Sequence, residues 1–303
     1  MTVHILKTAL PVFIALFLGV LCRRFAILTN DGAATLRRVA VDICLPAVLF
    51  GAFATADYSS GKLLIPLFVF ALCVLALLIG KLIGRLLHQE SRLAPFLMTG
   101  FEAGMLGYGL FALLYPGESS AEFAIIDLGQ VLFVFTLYKG LLKGKGKAGE
   151  LVSEAFSSPV IWAILIGMVF GVTGLYTALE PSGVTGVIAA VTDFVAAPTS
   201  CLILITIGFD LRLKDTPWGR ALGYTAERFA VMGVIYALAL LIDRHLLGGS
   251  INSGALLLML ILPAPYVLPV FSDAEEERTA IASTLSVMTL ASLLLFCVLA
   301  AAV

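Results

Sequence analysis

An all-helical fold that crosses a membrane about ten times follows from three observations. First, the 303 residues are 60% hydrophobic and only 13% charged, with a mean hydropathy of +1.06. A water-soluble domain sits nearer half apolar and a quarter charged. Second, the apolar residues gather into runs of roughly 18–24, the length that carries a helix across about 30 Å of hydrocarbon. Third, lysine and arginine collect in every second loop between those runs.

In chain order the runs predict spans at 5–22, 34–55, 62–84, 94–115, 122–142, 158–177, 185–209, 219–243, 253–272 and 279–302. The first lacks a strong basic flank and a small-residue cleavage site, so it reads as a mature helix and not as a signal peptide. Loops after odd-numbered spans hold fifteen of the nineteen basic residues. By the positive-inside rule those loops face the cytoplasm, and both termini face away from it. The most polar stretch, Lys139–Glu154, contains KGLLKGKGKAGE and reads as a solvated, flexible linker. It separates a first five-helix unit, 1–147, from a second, 148–303.

The two units read as a duplication. Pro11–Gly19 and Pro159–Gly167 share the pattern P-V-x-x-A-x-x-x-G at the start of spans one and six. Asp42 precedes Pro46 in span two as Asp193 precedes Pro198 in span seven, and Gly61-Lys62 opens span three as Gly219-Arg220 opens span eight. Five spans per unit is an odd number, so the second unit enters the membrane from the opposite side. Inverted repeats of this kind are a mark of secondary transporters.

Two matched spans are interrupted. Span four reads Thr99-Gly-Phe-Glu-Ala-Gly-Met-Leu-Gly-Tyr-Gly109 and span nine Leu262-Pro-Ala-Pro-Tyr-Val-Leu-Pro269. An interior proline costs a helix about 3 kcal/mol, and three within seven residues exclude a regular helix. Broken ends expose N–H groups suited to an anion, and unpaired backbone persists at that depth only where it lines a cavity or is covered by protein. The binding residues expected from these breaks are Glu102, Ala103, Gly104, Met105 and Gly107, with Pro263, Ala264, Pro265, Tyr266 and Val267 opposite. The competing reading is close helix packing through a GxxxG pair, Gly100 and Gly104, and a plain proline kink.

Ionisable side chains within apolar runs are functional candidates by default. Glu102 leads as a proton carrier: protonated it lets an anion occupy the crossover, and ionised it repels one. Gln130 and Tyr138 add polar contacts on the span-five face that carries Asp127, the second proton-coupling candidate. Asp42 and Asp193 read either as stabilisers of the static part of the fold or as binding groups. Glu227 and Arg228, adjacent in span eight, point about 100° apart. Each therefore finds its own counter-charge or aqueous face, or else Arg228 partners an anion.

Asp42-Ile-Cys-Leu-Pro-Ala-Val-Leu-Phe50, the glycine-rich Gly104-Met-Leu-Gly107, Pro198 with Ile207-Gly208, the Pro263–Pro269 cluster and the Ser286–Leu290 stretch together resemble the auxin efflux carrier (PIN-like) family, over essentially the whole chain. The resemblance implies a ten-helix, two-repeat fold like that of sodium–proton antiporters and bile-acid symporters. It also implies a scaffold of helices 1, 2, 6 and 7, a transport domain of helices 3–5 and 8–10, elevator-type movement and homodimers. Its substrates are organic acid anions such as malate, malonate or auxin. This chain departs from the family in carrying Glu102 where asparagine is usual, and Gly109 where proline is usual.

The expected function is thus secondary transport of a small organic anion in the cell membrane, a bacterial inner membrane by analogy. The alternative is a cation–proton antiporter of the same broad fold, with Asp127 as its second acid. A membrane sensor has no need of two matched helix breaks. No Ser/His/Asp, Cys/His or metal-ligand pattern points to an enzyme or a cofactor, and five scattered cysteines read as small buried hydrophobes. A net charge of −1 offers nothing to nucleic acid.

Overall fold

The computed structural model describes residues 2–58, 62, 64–143, 148–211, 216–272 and 274–302. Among the described residues every regular element is a helix, and no strand occurs. Among the described residues six helical stretches are long and apolar enough to cross a membrane: Leu64–Leu86, Ala94–Leu114, Ala121–Lys143, Val184–Asp210, Trp218–Leu247 and Glu275–Ala302. The pair Pro159–Val172 and Leu175–Ser182 makes a seventh if its 65° bend is counted within one span. The protein is a multi-pass, all-helical membrane protein.

The elements in chain order are α1 (Thr2–Arg24), α2 (Asn30–Val39), α3 (Leu45–Ala54), α4 (Leu64–Leu86), α5 (Ala94–Leu97), α6 (Tyr108–Leu114), α7 (Ala121–Phe133), α8 (Lys139–Lys143) and α9 (Ala148–Phe156). They continue with α10 (Pro159–Val172), α11 (Leu175–Ala178), α12 (Val184–Ala196), α13 (Thr199–Asp210), α14 (Trp218–Ile242), α15 (Ser253–Leu260) and α16 (Glu275–Ala302). Several expected spans are less regular than the apolar runs imply. The run 34–55 is α2 and α3 joined through a π-helical turn, Ala40–Cys44. The run 158–177 bends at Gly174, whose φ of +68° ends α10. The polar stretch after span five is not simply a flexible linker. Lys139–Lys143 continues the preceding helix, and Ala148–Phe156 forms a helix of its own. Residues 144–147 of that linker lie outside the described residues, as does Gly61 of the repeat comparison.

Lipid is as apolar as leucine, so helices in a bilayer associate by close packing and hydrogen bonds and not by expelling water. Glycines provide that packing here. A Cβ on Gly19 of α1 would lie 2.1 Å from the Ile205 carbonyl oxygen of α13, and one on Gly208 of α13 would lie 2.1 Å from that of Leu16. The α10–α3 crossing is built the same way, with Gly167 placed so that a Cβ would meet the Phe50 carbonyl at 2.9 Å. α12 also packs on α3, and α2 on α13. The remaining long helices pack on one another: α4 on α7 and α5, α14 on α16 and α4, and α15 on α7. Contacts of α16 with α1, α7 with α3, and α6 with α13 join the two sets.

Candidate functional site

The two breaks meet. In span four the chain leaves helix at Met98 and resumes at Ala103 through a π-helical turn, Ala103–Gly107. Gly100 makes this reversal with φ +67°, and a Cβ there would lie 2.9 Å from Pro265 of the opposite break. In span nine α15 ends at Leu260, and the chain stays non-helical until the 3-10 turn Leu268–Phe271. The breaks are stitched by backbone: the Glu102 N–H donates to the Pro263 carbonyl at 3.0 Å. The Tyr266 N–H donates to the Glu102 carboxylate at 2.7 Å. A carboxylate thus sits on an amide of the opposite broken span, where the second half of that span begins.

Arg228 is the counterpart of Glu102 on the carbonyl side. It is fully buried, at 0% exposure. Its guanidinium donates to the Leu97 carbonyl at 2.6 Å, to that of Gly100 at 2.7 Å, and twice to that of Leu262, at 2.9 and 3.1 Å. The same group lies over the Phe101 ring. Broken helices leave carbonyls with a negative dipole end, and one planar fork satisfies three of them across both breaks. Arg228 thus meets backbone carbonyls, and no acidic side chain among the described residues forms an ion pair with it. Its neighbour Glu227 points elsewhere and accepts from Gln89 at 2.9 and 3.2 Å.

A cavity of about 630 Å³ opens beside the crossover, within the range of small-ligand sites. Glu102, Gly104, Met105, Asp127, Gln130, Pro265, Tyr266 and Val267 line it. Ala103, Gly107, Pro263 and Ala264 do not line it and are buried in packing. Gly107 instead lets Phe123 and Leu262 approach, and Gly109 lets Ser200 approach. Tyr138 also turns away from the cavity, into the core against Phe96 and Phe133, and its hydroxyl donates to the Phe96 carbonyl. Asp127 accepts from the Tyr108 hydroxyl at 3.0 Å and from Gln130 Nε2 at 3.2 Å, and Gln130 Nε2 also donates to the Phe101 carbonyl at 3.1 Å.

The cavity is polarised from floor to rim. Ranked by burial, Asp127 and Gln130, with half-buried Glu102, make what we call the floor; Arg37 and Asp210, paired with each other and partly exposed, make the rim with Ser158 and the buried Lys139. These rim residues lie at the helix ends that border the basic loops. On the opposite side the helices are tied together. Lys62 donates to Glu122 at 2.5 Å and lies 3.5 Å from Asp57, and Thr55 meets Ser119 at 3.2 Å. The Glu122 hydrogen bond holds the Lys62 ammonium above its usual range.

A family model described as Membrane transport protein matches residues 4–154, from α1 into α9. The chain belongs to the auxin efflux carrier-type membrane transport family. The chain is also similar to an uncharacterized transporter of Methanocaldococcus jannaschii, 24% identical over 302 residues, covering 95% of this chain and 96% of that one. Another, from Methanothermobacter thermautotrophicus, is 27% identical over 226 residues, 69% of this chain and 68% of its own length.

Within this carrier, Asp42 and Asp193 are not brought to the crossover. Asp42 lies 3.4 Å from Arg38 one turn earlier, and Asp193 is exposed on α12. Sequence reasoning missed the rim residues Arg37, Lys139 and Asp210, and the Tyr266 hydroxyl's partner Thr289, 2.8 Å away on α16. Helix-end cations are too common to single out without a fold. The signal for Arg228 was present, since it is the one arginine or lysine placed within a predicted span away from its ends.

Proposed function

We propose that this carrier is a secondary active transporter of small organic acid anions, coupled to protons through Glu102. The observation that carries the reading is the Glu102 carboxylate seated on the Tyr266 N–H, both residues lining the cavity. The amide end of a broken helix is an anion seat, and here the protein's own carboxylate fills it. An ionised Glu102 competes with a substrate carboxylate for that amide. A protonated Glu102 gives the amide up and removes the repulsion, so proton and anion binding are linked at one residue.

The fold reading that goes with this is ten spans in two inverted five-helix repeats. The packing supports it: Gly19 and Gly167, matched in the two repeats, each serve a tight crossing, of α1 on α13 and of α10 on α3. Those two crossings interchange when the repeats are interchanged. Helices 1, 2, 6 and 7 then form the scaffold and helices 3–5 and 8–10 the moving domain, consistent with the two packed sets described above. A cavity open at the basic rim and tied shut by Lys62 opposite is consistent with alternating access, here facing the cytoplasm by the positive-inside rule. Asp193 and Phe194, exposed together on α12, support a homodimer, because a carboxylate facing lipid is costly. A cell-membrane location with both termini outside the cytoplasm completes the proposal.

Uptake of radiolabelled malate and malonate into proteoliposomes tests it. Saturable uptake is expected. The cation–proton antiporter is the second reading, favoured by two carboxyls, Glu102 and Asp127, on one cavity. Cation-stimulated proton movement without anion flux selects that reading instead.

A further inference from the structure

We infer that the cavity floor is a seat for a monovalent alkali cation of the sodium class, held by the Asp127 carboxylate and the side-chain oxygen of Gln130. Gln130 is 5% exposed, and its Oε1 is the only buried side-chain oxygen or nitrogen without a hydrogen-bond partner among the described residues. Exchanging the amide oxygen and nitrogen does not cure this. Nε2 faces the Phe101 carbonyl and the Asp127 carboxylate, and an oxygen in its place would face two acceptors. Asp127 is 2% exposed. It accepts two hydrogen bonds, and no lysine or arginine among the described residues forms an ion pair with it.

The floor therefore holds more acceptors than donors and a carboxylate without a counter-cation, a combination that burial penalises until a positive ligand arrives. A hard cation takes several oxygens at once. With the Gln130 amide turned over by the arriving ion, Oε1 takes the place that Nε2 holds between the Asp127 carboxylate and the Phe101 carbonyl, and three oxygens, one of them from unwound backbone, face the cation. One committed carboxylate with neutral oxygens matches a single positive charge. Sites for calcium recruit more carboxylates, and among the described residues no group of three acidic, histidine or cysteine side chains is poised to hold a metal.

The inference deepens the transport reading by naming a coupling ion: a cation on the floor offsets the two carboxyls and lets an anion descend from the rim of Arg37 and Lys139. Its test needs no flux. The purified full-length protein is unfolded thermally in detergent while sodium chloride replaces choline chloride at constant ionic strength and pH. A saturable rise in the midpoint with sodium, absent with choline, is expected. Asp127→Asn and Gln130→Met should each abolish it, and Tyr108→Phe, which removes a donor to Asp127 but no cation ligand, should keep it. Should a floor variant not fold, displacement of radioactive sodium from the wild-type protein by unlabelled sodium but not choline gives the same answer. Equal midpoints in sodium and choline, a response to pH alone, or a sodium response that survives both floor substitutions overturns the proposal. Sodium binding without anion flux in vesicles would instead overturn the transport reading and leave the seat standing.

Discussion

Replacing Arg228 by methionine keeps the length and apolar stem of the side chain and deletes the fork that holds the crossover. Four hydrogen bonds go, and the carbonyls of Leu97, Gly100 and Leu262 lose their shared donor. An orphaned buried acceptor costs about 1–3 kcal/mol, so three cost on the order of 3–9 kcal/mol. Relief of the guanidinium's own burial offsets part of that, which puts the net loss near the lower end, about 3 kcal/mol. For a chain of this size that lowers the midpoint by roughly 5 °C. Arg228→Lys keeps the charge but not the planar fork, and should recover only part of the loss. Glu227→Gln, one residue away but facing Gln89, should cost less than about 1.5 kcal/mol. The assay is thermal unfolding of the three purified variants in one detergent at one scan rate, since such unfolding is often irreversible. An Arg228→Met midpoint within roughly 2 °C of the wild type would refute the claim that this arginine pins both breaks.

Further outcomes follow from the same geometry. Gly19→Val should cost about 3 kcal/mol or more, because its Cβ meets backbone that cannot swing aside. Gly186→Ala, with nothing within 4 Å, should be neutral or slightly stabilising; unfolding midpoints check both. Lys62→Met removes a partly exposed ion pair worth about 1 kcal/mol or less. Because the Lys62 pKa is raised in the folded protein, that contribution is complete below the ordinary value of 10.5 and lost as pH climbs through the folded value. The midpoint difference between wild type and Lys62→Met should therefore be flat near neutral pH and vanish in alkali. A difference that grew with alkali would contradict the pairing.

Much of the architecture could be read from composition and run length, because a bilayer demands both of any chain that spans it. The two crossover breaks were legible for the same reason: Pro263, Pro265 and Gly100 are residues a regular helix does not tolerate or does not need. Finer geometry was not. The sequence places four glycines in span four, but only Gly100 turns the chain, and Gly107 and Gly109 serve packing, a choice made by neighbours from distant spans. Tyr138 and Gln130 lie eight residues apart in one helical stretch, yet one faces the core and the other the cavity. Eight residues at about 100° each set the two about 80° apart, so a regular helix does not put them on one face. Arg228 was visible as a buried charge, but its partners are carbonyls of residues 97, 100 and 262, and backbone partners leave no trace in side-chain patterns.

The account's central claim is that Glu102 links a proton to an anion at the crossover amide. Malate and malonate uptake into proteoliposomes, with and without an imposed pH gradient, compared between wild type and Glu102→Gln, tests it most directly. Gradient-dependent uptake in the wild type, and uptake indifferent to the gradient in the variant, is the predicted result; uptake with the same pH dependence in both would contradict it.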